Sequence, residues 1–332
     1  MRITFETLKE TFKRNLLQAD FSEDKAEVCA DIFAANSRDG VYSHGLNRFP
    51  VFMEYVGLGL INPKADAKIE SRKGMMEIWN GFRGPGMYNA RICMLRAVSM
   101  AKENGIGLAV IHDNNHWMRG GTYGLIAAES DCIGICFTNA LASMAPWGGK
   151  EARLGNNPLV IAIPRDKGVI LLDMALSQFS YGKMQEYELG HKMLPVDGGY
   201  DEQGNLIRDP ALIRRNKSAL PIGFWKGSGM AMVLDMVLCT LAGGLSTADI
   251  TAAGMEAGLS QCFVAIQPDQ FHPEYIEQII EYSRSSASSG SQIHFPGERM
   301  LAVREQNQRE GIPVDPGIWK KVCEMRGAGS AG

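Results

Sequence analysis

Residues 75–111, MMEIWNGFRGPGMYNARICMLRAVSMAKENGIGLAVI, decide the fold class. The short apolar run 75–79 reads as a strand. Residues 87–104 carry apolar side chains at helical spacing, and 106–111 form a second run of strand length. The same order continues downstream, with a helix expected over 122–130 and a strand over 133–139. Strands alternating with helices mark an α/β protein.

Further along, the apolar runs 159–163 and 169–174 flank Arg165-Asp166-Lys167-Gly168 and predict a hairpin. Helices are expected over 179–189, 229–241, 273–284 and 301–309, and a strand over 261–267. The 229–241 helix is strongly apolar, which predicts burial, and Gly243-Gly244 would end it. Residues 195–206 read as a surface loop and 285–292 as a Ser/Gly linker. Upstream, Phe5, Leu8, Phe12 and Leu16 recur at helical spacing. Ser22 is the expected N-cap of a second helix carrying Ala26, Cys29, Ile32 and Phe33, stopped by Gly40. A third helix should end near Gly57-Leu58-Gly59. The chain thus divides into an N-terminal helical portion (1–62), an α/β cofactor- and substrate-binding region (63–326) and a disordered tail (327–332).

Of 332 residues 45% are hydrophobic and 21% charged, enough apolar material for a packed core. The net charge of -3 and the scattered basic residues argue against a nucleic-acid partner or a membrane surface. No apolar run approaches the roughly 20 residues of a membrane span. Seven cysteines, an odd number without a C-x-x-C pair, fit reduced thiols in a cytoplasmic protein, and no signal-peptide core is seen at the N-terminus.

The chemistry concentrates in Gly40-Val41-Tyr42-Ser43-His44-Gly45-Leu46-Asn47-Arg48. A helix starting near His44 would put His44 and Arg48 on one face, a turn apart. Imidazole can exchange a proton near neutral pH, and guanidinium can grip a carboxylate, so the pair suits a 2-oxo acid. A surface histidine beside an ion-paired arginine is the other reading. Gly84-Pro85-Gly86-Met87-Tyr88-Asn89 approaches a dinucleotide fingerprint, but Asn89 stands where the third glycine belongs, and a plain strand-to-helix turn fits better. Trp225-Lys226-Gly227-Ser228-Gly229 either offers an anion site at a helix start or is a helix capped by Ser228. His112 and His116 have zinc-like spacing, but Asn114-Asn115 between them predicts a loop rather than a helix. His116 would then project into a cleft with Arg119 beside it, or bond to local backbone. Asp173, at the end of an apolar strand, can accept from ribose hydroxyls or cap the next turn. Phe295-Pro296-Gly297-Glu298-Arg299 reads as a tight charged turn.

Six of these segments occur in order: Ser43-His44-Gly45, Asn115-His116, Gly155-Asn156-Asn157-Pro158, Asp173-Met174-Ala175, Lys226-Gly227 and Pro296-Gly297-Glu298. The set resembles the type-2 malate/L-lactate dehydrogenase family, which is unrelated to the Rossmann lactate dehydrogenases. The resemblance runs from the first helix to about Trp319. It implies a family-specific mixed-sheet α/β fold without a G-x-G-x-x-G loop, a homodimer, and an NAD cofactor. It makes His44 the proton donor. The cofactor contacts it implies fall on Val169, Ile170, Leu171, Leu172, Asp173, Met174 and Ala175, on Trp225 and Lys226, and on Gly297, Glu298 and Arg299. Two departures stand out: Asn156 where the family commonly has Thr, and Trp117-Met118 where it commonly has Phe-Gly. The second follows the family's sugar-acid reductases.

The expectation is therefore an NADH-dependent reductase of a 2-oxo sugar acid. His44 would enter as imidazolium and protonate the carbonyl oxygen. Arg48 would hold the carboxylate, His116 would bond a neighbouring oxygen, and Lys226 would meet cofactor phosphate. Asp173 near the ribose would disfavour a 2′-phosphate, hence NADH over NADPH. No metal is expected. The alternatives are a sister enzyme acting on lactate, malate, ureidoglycolate or a cyclic imine, and a non-catalytic binder of sugar acids or nucleotides.

Overall fold

A computed structural model describes residues 1–287 and 290–325. The chain opens with helices Phe5–Leu17 (α1) and Glu23–Arg38 (α2); Thr4 caps the first, and Ser22 caps the second as the sequence predicts. A single 3-10 turn, Tyr42–His44, separates α2 from the helix Phe49–Gly57 (α3). Phe12, Phe33, Phe49 and Phe52 meet at the centre of these helices, all but fully buried. Each such ring contributes about 1.5–3 kcal/mol by leaving water.

Next come strands Lys68–Lys73 (β1) and Met76–Asn80 (β2), helix Gly86–Asn104 (α4), strand Ile106–Asn115 (β3), helix Gly121–Ala128 (α5) and strand Ile133–Thr138 (β4). The expected hairpin is Leu159–Arg165 (β5) with Gly168–Met174 (β6). Helices Tyr181–Leu189 (α6), Pro210–Asn216 (α7), Trp225–Ala242 (α8) and Thr247–Ala252 (α9) follow, and residues 195–206 hold part of a small hairpin pairing Gly199–Tyr200 with Leu206–Ile207. The last large strand is Ala257–Ile266 (β7), followed by Pro273–Arg284 (α10), Glu298–Glu310 (α11) and Pro316–Glu324 (α12). Part of the 285–292 linker and the 327–332 tail lie outside the described residues.

The seven strands form one sheet in the order β1-β2-β3-β7-β4-β5-β6. Only β2 and β3 pair in parallel; every other neighbouring pair is antiparallel. The sheet is therefore mixed, as the resemblance implies. Side chains alternate faces. Ala109, Ile111, Cys136 and Phe263 pack under α4 and α5, while Val110, Phe137 and Cys262 pack under α8.

Two expectations need correction, and the favoured reading of one glycine turn holds. The strand predicted over 106–111 runs on to Asn115, because β7 pairs along it and the polar residues find partners: Asn114 Nδ2 donates to Gln261 Oε1 at 2.8 Å. The 84–89 glycine turn is a packing turn. A Cβ on Gly86 would lie 2.1 Å from the Asn115 carbonyl oxygen, so only glycine lets α4 start this close to β3. Helix α8 starts at Trp225, four residues early, and is not buried all round. Leu234 and Leu238 face the sheet, whereas Met230, Val233 and Met236 are 43%, 52% and 57% exposed. Ser228 accordingly lies inside the helix and accepts from Trp147 N instead of capping it.

Candidate active site

A cleft of about 400 Å³ opens at the C-terminal ends of β3, β4 and β6. The Tyr42–His44 turn and the turn at the start of α11 both line it.

The His44 turn is fixed from behind. Asn36, buried on α2, donates through Nδ2 to the His44 carbonyl at 3.0 Å and accepts from Thr122 Oγ1 at 3.0 Å. Ser43 Oγ lies 3.0 Å from His44 Nδ1, which leaves Nε2 as the ring nitrogen without a partner among the described residues. Across the cleft floor, His116 follows directly on β3. Its Nδ1 accepts the Met118 N–H at 3.0 Å, so in the neutral ring Nε2 carries the proton. The two rings stack at 5.7 Å between centroids and 21° between planes.

Burial lowers the pKa of both rings to about 3; for His44 the charges of His116 and Arg48 add to it, for His116 that of Arg48. Both are neutral in the free protein at pH 7, so His44 does not stand as an imidazolium before ligands bind.

Arg48 is not on a helical face with His44. Pro50 cannot occupy a helix interior, since it lacks an N–H and its ring would strike the carbonyl four residues back. The helix therefore begins at Phe49, with Arg48 as its N-cap and Pro50 in the first turn. Arg48 Nη2 pairs with Glu256 Oε2 at 2.9 Å in a small cavity behind His116, next to the cleft rather than in it. His112 turns elsewhere and meets Glu70 at 2.8 Å, so the two zinc-spaced histidines do not converge.

Arg119 does stand beside His116 and borders the cleft. Its Nη1 donates to Asp39 Oδ2 at 2.9 Å, and the same carboxylate receives Arg304 Nε and Nη2 at 2.8 and 2.6 Å and Arg38 Nε at 3.0 Å. Burial works to raise the Asp39 pKa, but the arginines outweigh it and hold the carboxyl below its usual range.

On the β6 side, Leu171, Asp173 and Ala175 border the cleft. Val169 packs into the core under α5, and Ile170, Leu172 and Met174 do not reach the cleft. Asp173 reaches back to α5 rather than to the turn that follows it: its Oδ2 accepts the Gly121 N–H at 2.9 Å at the start of that helix. Gly297, with φ +95°, is the N-cap of α11, and the Leu171 N–H donates to Pro296 O at 3.0 Å. A Cβ on Gly297 would crowd Leu171 Cβ and N at 3.1 Å. Glu298 is engaged by Arg284 at 2.5 Å and His294 Nδ1 at 2.8 Å, whereas Arg299 is exposed at the rim. Trp225 and Lys226 are exposed at the start of α8, outside the cleft of this chain.

Sequence reasoning missed Glu256 and the Asp39–Arg304 contact. Asp39 carried a weak signal, an acid directly before the histidine segment; Glu256 carried none.

With this geometry in view, the sequence profile of malate/L-lactate dehydrogenases matches residues 3–323. The chain belongs to that family. It is 42% identical over 330 residues to the 2,3-diketo-L-gulonate reductase of Escherichia coli O17:K52:H18, covering 97% of this chain and 99% of that protein. Malate dehydrogenase from Entamoeba histolytica superposes with a TM-score of 0.90 at 25% identity, covering 97% of this chain and 96% of that one. Sulfolactate dehydrogenase from Methanocaldococcus jannaschii gives 0.87 at 29% identity, covering 97% and 95%. The protein is an oxidoreductase acting on CH–OH groups.

Membership implies a nicotinamide cofactor, and the cleft suits one. Arg119 Nε is a buried donor without a hydrogen-bond acceptor, Asp173 lying 3.5 Å away. Asp173 brings a carboxylate and Arg299 a guanidinium to the border of the cleft. Among the described residues no helix is long and apolar enough to cross a membrane.

Proposed function

We propose that this protein is an NADH-dependent reductase of a 2-oxo sugar acid, converting 2,3-diketo-L-gulonate to 3-dehydro-L-gulonate, with His44 as the proton donor. One observation carries the reading: two stacked imidazoles, each with Nδ1 engaged by its own segment, at a cleft that Asp173 and Gly297 also border. The names of the curated relatives support the substrate.

When bound, the reduced nicotinamide supplies a hydride to the C2 carbonyl. His44 delivers its proton from Nε2 to the oxygen as negative charge builds there. The substrate's carboxylate brings a negative charge near the ring, which favours the imidazolium that burial opposes in the free protein. Ser43 keeps the ring oriented in either state, since its hydroxyl can donate to or accept from Nδ1. His116 donates Nε2–H to a neighbouring substrate oxygen and stays neutral throughout. Arg48, in the adjoining cavity behind His116, would reach the C1 carboxylate with nitrogens that Glu256 leaves free. Asp173 would hold the ribose hydroxyls, where its charge would repel a 2′-phosphate, hence the preference for NADH.

The working unit is a homodimer in this proposal. The exposed face of α8, Met230, Val233 and Met236, is the natural contact surface, and Trp225 and Lys226 at its start would reach cofactor held by the partner.

The test is direct. Purified protein is mixed with NADH or NADPH and with 2,3-diketo-L-gulonate, the 2-oxo acids matching malate, lactate and sulfolactate, or a cyclic imine, and the loss of cofactor absorbance is followed. The largest kcat/KM is expected for 2,3-diketo-L-gulonate with NADH. A larger value on any other acid replaces the substrate, and no oxidation with any of them ends the reading.

A further inference from the structure

Glu256 has no place in the scheme above beyond its contact with Arg48, yet the sheet register puts it beside His116. Ala257 pairs with Asn115 across β7 and β3, so the residue before Ala257 comes level with the residue after Asn115, which is His116. Glu256, Arg48 and His116 share one small cavity, and His116 stacks on His44. The Arg48–Glu256 contact uses one guanidinium nitrogen and one carboxylate oxygen at 2.9 Å, with side chains 28% and 19% exposed.

From this geometry we infer that Glu256 is a positioning residue: it holds Arg48 by a single nitrogen, and its negative charge offsets that of Arg48 beside the paired histidines. The inference rests on the proposed reductase chemistry.

The charged surroundings of His44 make the offset matter. Arg48 comes from its own segment, and His116 and Arg119 come from the loop after β3. Glu256 stands at the start of β7. Asp39, at the end of α2, is consumed by three arginines. Helix α6, whose Gly182 lies against Ser43, carries Lys183 and Glu186 paired with each other at 2.7 Å. Asp173, His294 and Arg299 line the far side of the cleft. Among the charges that act on the His44 pKa, those of His116, Arg48 and Arg119 lower it and that of Glu256 raises it. Without it, the cation that binds the substrate's carboxylate would also strip His44 of the proton it must deliver. A lone arginine serves binding at the expense of protonation; an arginine half-neutralised from the side serves both.

The experiment compares the wild type with Glu256→Gln, which keeps the size and an oxygen acceptor for Arg48 but removes the charge, and with Glu256→Asp, which keeps the charge. In the reductive direction, activity falls as pH rises through the pKa of His44. In Glu256→Gln that limb of kcat/KM should move to lower pH by about one unit, with KM for the 2-oxo acid little changed. Glu256→Asp should keep the wild-type limb. A purely structural tether predicts the reverse, unmoved limbs in both variants and a raised KM. Superposable Glu256→Gln and wild-type limbs overturn the inference.

A second measurement needs no turnover. In a histidine NMR titration of the cofactor-free protein downward from pH 7, His44 should begin to take up its proton at lower pH in Glu256→Gln than in the wild type, and at higher pH in Arg48→Gln. The same onset in all three proteins overturns the inference even if the enzyme is active. Shifted onsets in an inactive protein leave the charge balance standing and sink only the assigned reaction.

Discussion

His116 accepts the backbone N–H of Met118 through Nδ1 at 3.0 Å, and Met118 holds φ at +65° to offer it. The bond leaves Nε2 as the donor of the neutral His116 ring, and the role proposed for it needs no change of charge. His116→Ala should therefore lower kcat by about 10²–10³-fold, the cost of losing one well-placed donor to a developing oxyanion. The pH at which the remaining activity falls should still report His44. Steady-state kinetics across pH checks both halves.

In the proposed reaction His44 has the opposite duty, since its proton must leave. His44→Ala should lower turnover by roughly 10²–10⁴-fold, the range for a lost general acid. NADH affinity, followed by nicotinamide fluorescence, should be nearly unchanged, because Asp173 and the Gly297 turn stand on other elements. Normal turnover in this variant would remove His44 from its role.

Stability should fall in mild acid. His44 and His116 are held near pKa 3 in the folded chain, against about 6.5 when unfolded. Between these values the unfolded chain binds protons that the folded chain refuses. The stabilisation from keeping both rings neutral is thus complete above about pH 6.5 and is lost progressively as pH falls toward 3. Urea titrations at stepped pH should show the midpoint dropping through this window. The drop should be smaller in His116→Ala, which has one such ring fewer.

Met236 is 57% exposed on the apolar face of α8. If that face joins two copies, Met236→Lys places a charge in the contact, and light scattering should show the mass halve relative to the wild type. A wild type that is already monomeric at micromolar concentration would remove the homodimer from the proposal.

What the sequence made legible was local. The spacing of Phe5, Leu8, Phe12 and Leu16, the Ser22 cap and the Arg165–Gly168 turn each act within a few residues, and the structure has them as read. Contacts across long separations were not legible. Nothing near residue 257 tells that β7 will slip between β3 and β4, and that insertion is what extends β3 and brings Glu256 to Arg48, 208 positions away. Some misses were avoidable. Asp209-Pro210 and Asp315-Pro316 are caps followed by proline, and Ser246 with Asp249 is a capping box; all three open short helices that the apolar pattern alone passed over. In α8 the apolar pattern was read as burial within one chain, although an all-round apolar helix can equally keep one face for something outside it.

Asp39 is grasped by arginines from three parts of the chain, the last of them 265 positions downstream. During synthesis that anion waits in an unfinished interior until Arg304 arrives, so the catalytic chamber is among the last things the growing polypeptide completes. A product broken off ahead of α11 would lack the two bonds that Arg304 gives this carboxylate, leaving Arg38 and Arg119 to hold it.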